Sequence, residues 1–227
     1  MVKKHFSLTL FFFLAIHALS AQDWFSNFDM NDWLQGYVIG IAGDTINGSV
    51  RFDYPVAMQK HVLFYKKSGS PDQPVTYGPA DVRGYGIEGK RWVSTQVMME
   101  TYDGAYQFSR FGIAETIPGP IVIVRIFEEA DKKKKKLNSD QANRIVRGIS
   151  YNHDPNSFRD LYIKKFEETA VPVFSREFKK SFQEKMLDYV NDHDELKDKI
   201  IDKSWGYNDL MKIANEYNRW YQMKKTR

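Results

Sequence analysis

Gly36-Tyr37-Val38-Ile39-Gly40-Ile41-Ala42-Gly43-Asp44-Thr45-Ile46-Asn47-Gly48-Ser49-Val50-Arg51-Phe52 is the stretch whose reading sets the fold class. Tyr37, Ile39 and Ile41 alternate on one face, Gly43-Asp44 supplies a turn, and Ile46, Val50 and Phe52 resume the alternation. Period-two apolar spacing on both sides of a Gly-Asp pair is the signature of a β-hairpin. The same logic predicts strands over His61–Tyr65, Val75–Tyr77, Val82–Ile87, Arg91–Met98, Tyr106–Phe111, Ile121–Phe127 and Asp160–Phe166. Turn residues separate them at Ser68-Gly69-Ser70-Pro71-Asp72, Glu88-Gly89, Asp103-Gly104 and Pro118-Gly119-Pro120. Strands at this spacing without helices between them predict an antiparallel meander, a sandwich or a small barrel.

Past residue 170 the period changes. Phe174, Phe178, Phe182, Met186, Tyr189 and Val190 share one helical face. A second helix is predicted from Glu195 to Lys203, with Asp194 as its cap and Gly206 beyond its end. A third starts near Asn208, its stripe made of Leu210, Ile213, Ala214, Tyr217, Trp220 and Tyr221. The fold class expected is therefore α+β: an antiparallel β-rich domain over 22–170, then about three amphipathic helices in a subdomain over 171–227. The helical stripes are expected to pack on one another and on the sheet.

The N-terminus carries Lys3 and Lys4, an apolar run from Phe6 to Leu19, and a small, polar exit at Ser20-Ala21-Gln22. These are the parts of a cleavable secretory signal, so residues 1–21 are expected to be removed. The chain is then an exported protein, periplasmic or secreted, with no transmembrane helix after processing. It has no cysteine, which excludes a lipoprotein anchor, a disulfide, a thiolate nucleophile and a cysteine metal site. Loss of Lys3 and Lys4 lowers the formal net charge from +4 to +2. A balance that small does not mark a nucleic-acid binder.

No catalytic residue, cofactor site or metal site is assigned. Asp192-His193-Asp194-Glu195 looks like a metal cluster, but consecutive helical residues point in different directions. His61 is expected to open a strand, and His153-Asp154-Pro155 reads as a turn. Neither a nucleophile elbow nor a glycine-rich phosphate loop is present, and the adjacent pairs Glu128-Glu129 and Glu167-Glu168 are not expected to converge, since neighbours on a strand face opposite sides. Trp24, Trp33 and Trp92 fit no clear stripe. They are candidate contacts for a ligand or partner, with core packing as the alternative. Lys132, Lys133, Lys134, Lys135 and Lys136 are expected to lie in an exposed loop near 131–143 that could meet an anionic surface.

Three stretches together resemble a family of uncharacterised exported proteins from Bacteroidota: the hairpin Gly36 to Val50, the segment Tyr77-Gly78-Pro79-Ala80-Asp81-Val82-Arg83-Gly84-Tyr85, and the helical region closing on Tyr217-Asn218. The resemblance implies an envelope or secreted location and no assigned activity. It also implies cysteines in relatives near positions 193 and 220, where this chain has His193 and Trp220. The function expected is a non-enzymatic interaction module acting on an envelope protein or polysaccharide. The alternatives are a carbohydrate or small-ligand binder and an envelope hydrolase.

Overall fold

The computed structural model describes residues 24, 27–66, 73–101, 104–127 and 161–226. Its strands are β1 (Trp33–Gly40), β2 (Thr45–Arg51), β3 (Val62–Tyr65), β4 (Val75–Tyr77), β5 (Val82–Ile87), β6 (Lys90–Thr101), β7 (Gly104–Ala114), β8 (Ile121–Arg125), β9 (Leu161–Lys165) and β10 (Val171–Pro172). A short helix α1 (Pro55–Met58) links β2 to β3. The chain ends in α2 (Arg176–Lys180), α3 (Phe182–Tyr189), α4 (Asp194–Ile201), a 3-10 turn (Tyr207–Asp209) and α5 (Leu210–Lys225). The expected α+β class, strands first and helices after, is what the molecule has. Among the described residues no helix is long and apolar enough to cross a membrane.

The strands pair antiparallel in one sheet of order β10-β9-β8-β7-β6-β5-β1-β2-β3-β4. The β5–β6 hairpin shows why its residues were chosen. Ile87 pairs with Lys90 across the two-residue loop Glu88-Gly89, and both loop residues have positive φ, 44° and 78°. That is the type I′ geometry whose twist matches the flanking strands, and glycine adopts it without steric cost.

Strand β6 does two jobs on one of its edges. Its first half pairs with β5 through Lys90 to Val93. Its second half meets Ala170, with Met98 N–H donating to Ala170 O (3.1 Å) and Ala170 N–H donating to Gln96 O (2.8 Å). Gln107 Nε2 reinforces the seam by donating to Thr169 Oγ1 at 2.8 Å. Since β7, β8, β9 and β10 follow β6 in order, this contact curls them into a ring of five strands. The remaining strands extend from the ring as an open wing.

Cross-strand partners share a face, so the registers sort the side chains into two sets. One face carries Val38, Tyr85, Trp92 and Ile113 in a row across β1, β5, β6 and β7. With Val50, Phe52, Met58, Phe64 and Phe111 they form the wing core, against which Trp24 and Phe28 pack. On the same face, Ile121, Ile123, Leu161 and Ile163 meet Phe178, Met186, Tyr189, Leu196, Leu210, Ile213 and Tyr217 from the helices. The other face turns inward in the ring, where Val97, Val122, Val124, Ile126, Tyr162 and Ala170 fill the interior. Both faces of β8 are thus covered, which is why Ile121 to Val124 is continuously apolar rather than alternating.

Two details differ from the sequence reading. The expected first helix is two: Ser175 caps α2 by accepting from Phe178 N (3.0 Å), and the helix breaks at Ser181. Ser181 Oγ bonds back to Glu177 O at 2.8 Å, a side-chain bond that competes with helical continuation. Asp194 is the first residue of α4 rather than its cap. The cap position belongs to His193, while Asp194 pairs with Lys197 at 2.6 Å, an acid placed where the helix dipole favours one. His193 is buried and lies 4.7 Å from the Trp220 ring, so these two positions are joined by ring packing.

Candidate functional site

The hairpin face bearing Tyr37, Ile39 and Ile41 is not the core face; Val38 is the buried residue of β1. Ile39 shares a register row with Gly84 and Val93, and this row runs on to the mouth of the ring. There the wing and the ring bound a cleft of about 720 Å³. Its size suits a small-molecule site, and barrel mouths are among the places where such sites form. Ile39, Ile41, Val93, Val122, Pro120, Phe166 and Tyr221 supply its apolar surface. Arg83, Arg91, Lys164 and Lys225 supply four cations against one carboxylate, Glu167.

Lys164 is the unusual member. Strand β9 alternates Leu161 and Ile163 toward the helices with Tyr162 and Lys164 toward the ring interior. Tyr162 fills the interior, and Lys164, opposite Val122, takes the mouth. It is 6% exposed as a residue, its stem buried while the Nζ reaches the solvent of the cleft. Burial lowers its pKa from the ordinary lysine value, and the nearby Glu167 charge opposes that shift. A lysine this buried is almost always paired, so an ammonium held at the floor of a cleft is a cost that a ligand can offset. Arg91 is anchored by donating to Thr116 O at 2.9 Å, and burial lowers its pKa as well. Lys225 lies 5.0 Å over the Tyr221 ring, which in turn meets Phe166 edge-on at 6.1 Å.

One wall of the cleft is the turn Pro118-Gly119-Pro120, and α5 holds it. Asn218, fully buried, accepts from Ile121 N (3.0 Å) and donates to Ile121 O (2.7 Å) and Ile117 O (3.1 Å). Asn215 accepts from Ile117 N at 2.9 Å, and Gln222 donates to Pro118 O. A side chain at Gly119 would start 2.3 Å from Asn218 Cγ, so only glycine allows this approach. Asp81 shapes the opposite wall by accepting from Gly78 N at 2.7 Å, which folds Tyr77 to Val82 into the turn that presents Pro79.

The sequence-nominated residues are scattered. Trp92 is fully buried, its indole stacked on Tyr85 at 5.4 Å in the wing core, and its position on β6 borders the cleft. Trp24 is half-buried, edge-on to Phe28 at 5.1 Å. Trp33 is 44% exposed and edge-on to Tyr65 at 6.3 Å. Lys132, Lys133, Lys134, Lys135, Lys136 and His153 lie outside the described residues. Lys164 was missed: period two puts it with Tyr162, but only ring closure reveals that this face is buried.

Compared with known proteins, the chain matches no family model, no curated protein and no solved structure.

Proposed function

We propose that the chain is an exported, non-enzymatic binding protein of the cell envelope that takes an acidic small ligand at the mouth of its five-stranded ring. The observation that carries this reading is Lys164: a mostly buried lysine whose ammonium opens on a cleft lined by four cations and one carboxylate. Export is supported by the basic, apolar and small-residue segments of residues 1–21, and by the resemblance to exported Bacteroidota proteins. The polar groups of the lining are four cations, Glu167, Ser94 and the Tyr221 hydroxyl, a set weighted toward holding an anion. The test is native mass spectrometry of the protein recovered from its own envelope fraction. A copurifying acidic molecule, absent from the Lys164→Met variant, is the expected result; identical spectra free of adducts would reject the reading.

A second reading rests on Trp33. It stands exposed beside Tyr65, on the sheet face that also carries Gln35 and Ser49, a combination suited to stacking and bonding a sugar ring. Quenching of tryptophan fluorescence by an oligosaccharide, abolished in Trp33→Ala, would favour it; silence across a broad panel would remove it.

A further inference from the structure

Resting on the acidic-ligand reading, the geometry also limits the rest of the ligand. We infer that it is an amphipathic anion: a carboxylate or phosphate head paired with Lys164, carried on an apolar chain that runs outward over Phe166, Tyr221, Ile39 and Ile41.

The head is placed by what lies beneath it. Below Lys164 the ring interior is filled by Tyr162, Val97 and Val124, so nothing larger than the head can pass deeper. The acidic group therefore stops at the ammonium, and the rest of the molecule extends toward solvent. Along that path the cleft is apolar. Phe166 is 51% exposed and Ile41 56%, two large side chains left in water on opposite sides of one opening. Covering such side chains is worth about 25 cal/mol per Å², a gain that a bare anion cannot collect. An uncharged hydrocarbon would cover them but strip the solvent from the Lys164 ammonium without replacing it by a partner. Only a ligand with both parts satisfies both features.

The peripheral charges fit the same assignment. Arg83 and Lys225 stand at the rim, where their charges steer an anion inward and are screened by salt. Arg91 is committed on one side to Thr116 O and adds positive potential near the floor. Glu167 is exposed and acts on Lys164 through its field, so it competes with the incoming head. Removing its charge should tighten binding.

The experiment is isothermal titration of the exported protein with three probes below their micellar concentrations: dodecyl phosphate, inorganic phosphate and dodecyl maltoside. Dodecyl phosphate is expected to bind at least tenfold more tightly than either of the others. Lys164→Met should weaken it at least tenfold, Lys164→Arg should restore part of the loss, Phe166→Ser should weaken it several-fold, and Glu167→Gln should strengthen it. Cooperative thermal melting of each variant at or above the wild-type midpoint, or within a few degrees below it, separates these effects from unfolding. Equal binding of inorganic phosphate would overturn the apolar-chain assignment while leaving the acidic-ligand reading intact. Equal binding of dodecyl maltoside, or indifference to Lys164→Met, would overturn the head assignment. No binding of any probe would overturn the inference, and an empty protein in native mass spectrometry would then take the parent reading with it.

Discussion

Replacing Asn218 by alanine tests whether α5 positions the cleft wall. The wild-type amide satisfies Ile121 N–H, Ile121 O and Ile117 O from a fully buried position. After truncation Ile121 O keeps Thr116 Oγ1 at 3.3 Å, while Ile121 N–H and Ile117 O lose the partners that Asn218 supplied. Leaving the buried Ile121 N–H unsatisfied costs about 1–3 kcal/mol, and the half-buried Ile117 O, which water can reach, adds little, so the predicted loss is about 1–3 kcal/mol. For a chain of this size that lowers the melting midpoint by about 2–4 °C per kcal/mol. Urea unfolding gives the free energy, and amide exchange at Ile121 localises it. Asn215→Ala is the internal control: it frees one half-buried N–H, Ile117, which water can reach, and should cost only about 1 kcal/mol. A loss below about 1 kcal/mol in Asn218→Ala, with Ile121 still protected, would refute the clamp.

Four further outcomes follow from the same contacts. Gly119→Ala places a Cβ against Asn218 and should cost about 1–3 kcal/mol by overpacking, read from the urea midpoint. Trp92→Ala should cost about 3–5 kcal/mol as a cavity in the wing core, whereas Trp33→Ala on the surface should stay within about 0.5 kcal/mol; parallel denaturation curves check both. Ala170→Pro removes the N–H that bonds Gln96 O, so amides at the β6 seam should exchange faster while wing amides such as Tyr85 do not. Lys164 has a lowered pKa in the folded state, so between that value and the unfolded value near 10.5 the unfolded chain binds more protons. Stability relative to Lys164→Met should therefore rise as pH increases through that alkaline window, and a fall measured by urea unfolding would contradict the burial.

Much of the fold is legible because it depends on side-chain alternation. The ranges Val75–Tyr77 and Val82–Ile87 are strands as period two predicts, and Glu88-Gly89 makes its turn where the residue types require one. Ring closure is different. It depends on the backbone N–H and C=O of Ala170, which any residue except proline offers, so no sequence pattern announces it. The site inherits that opacity. Lys164 looks like the polar member of a half-exposed strand until the ring closes over its face. Likewise Asn218 reads as a polar interruption beside the α5 stripe, and its role emerges only when the Pro118-Gly119-Pro120 turn is brought against it. The Tyr37, Ile39 and Ile41 alternation was visible, but alternation does not say which face is core. Here the core took Val38 and left the larger set to the outer face and the cleft.

The central claim is that Lys164 is a buried cation awaiting an acidic head, and its own titration tests this most directly. Nitrogen-15 NMR of the lysine side chains, assigned with Lys164→Arg, gives its pKa with and without dodecyl phosphate. The account predicts a value below that of ordinary lysines in the free protein, rising when the anion binds because an opposite charge favours the ammonium. An ordinary value that does not move on adding the anion would contradict it.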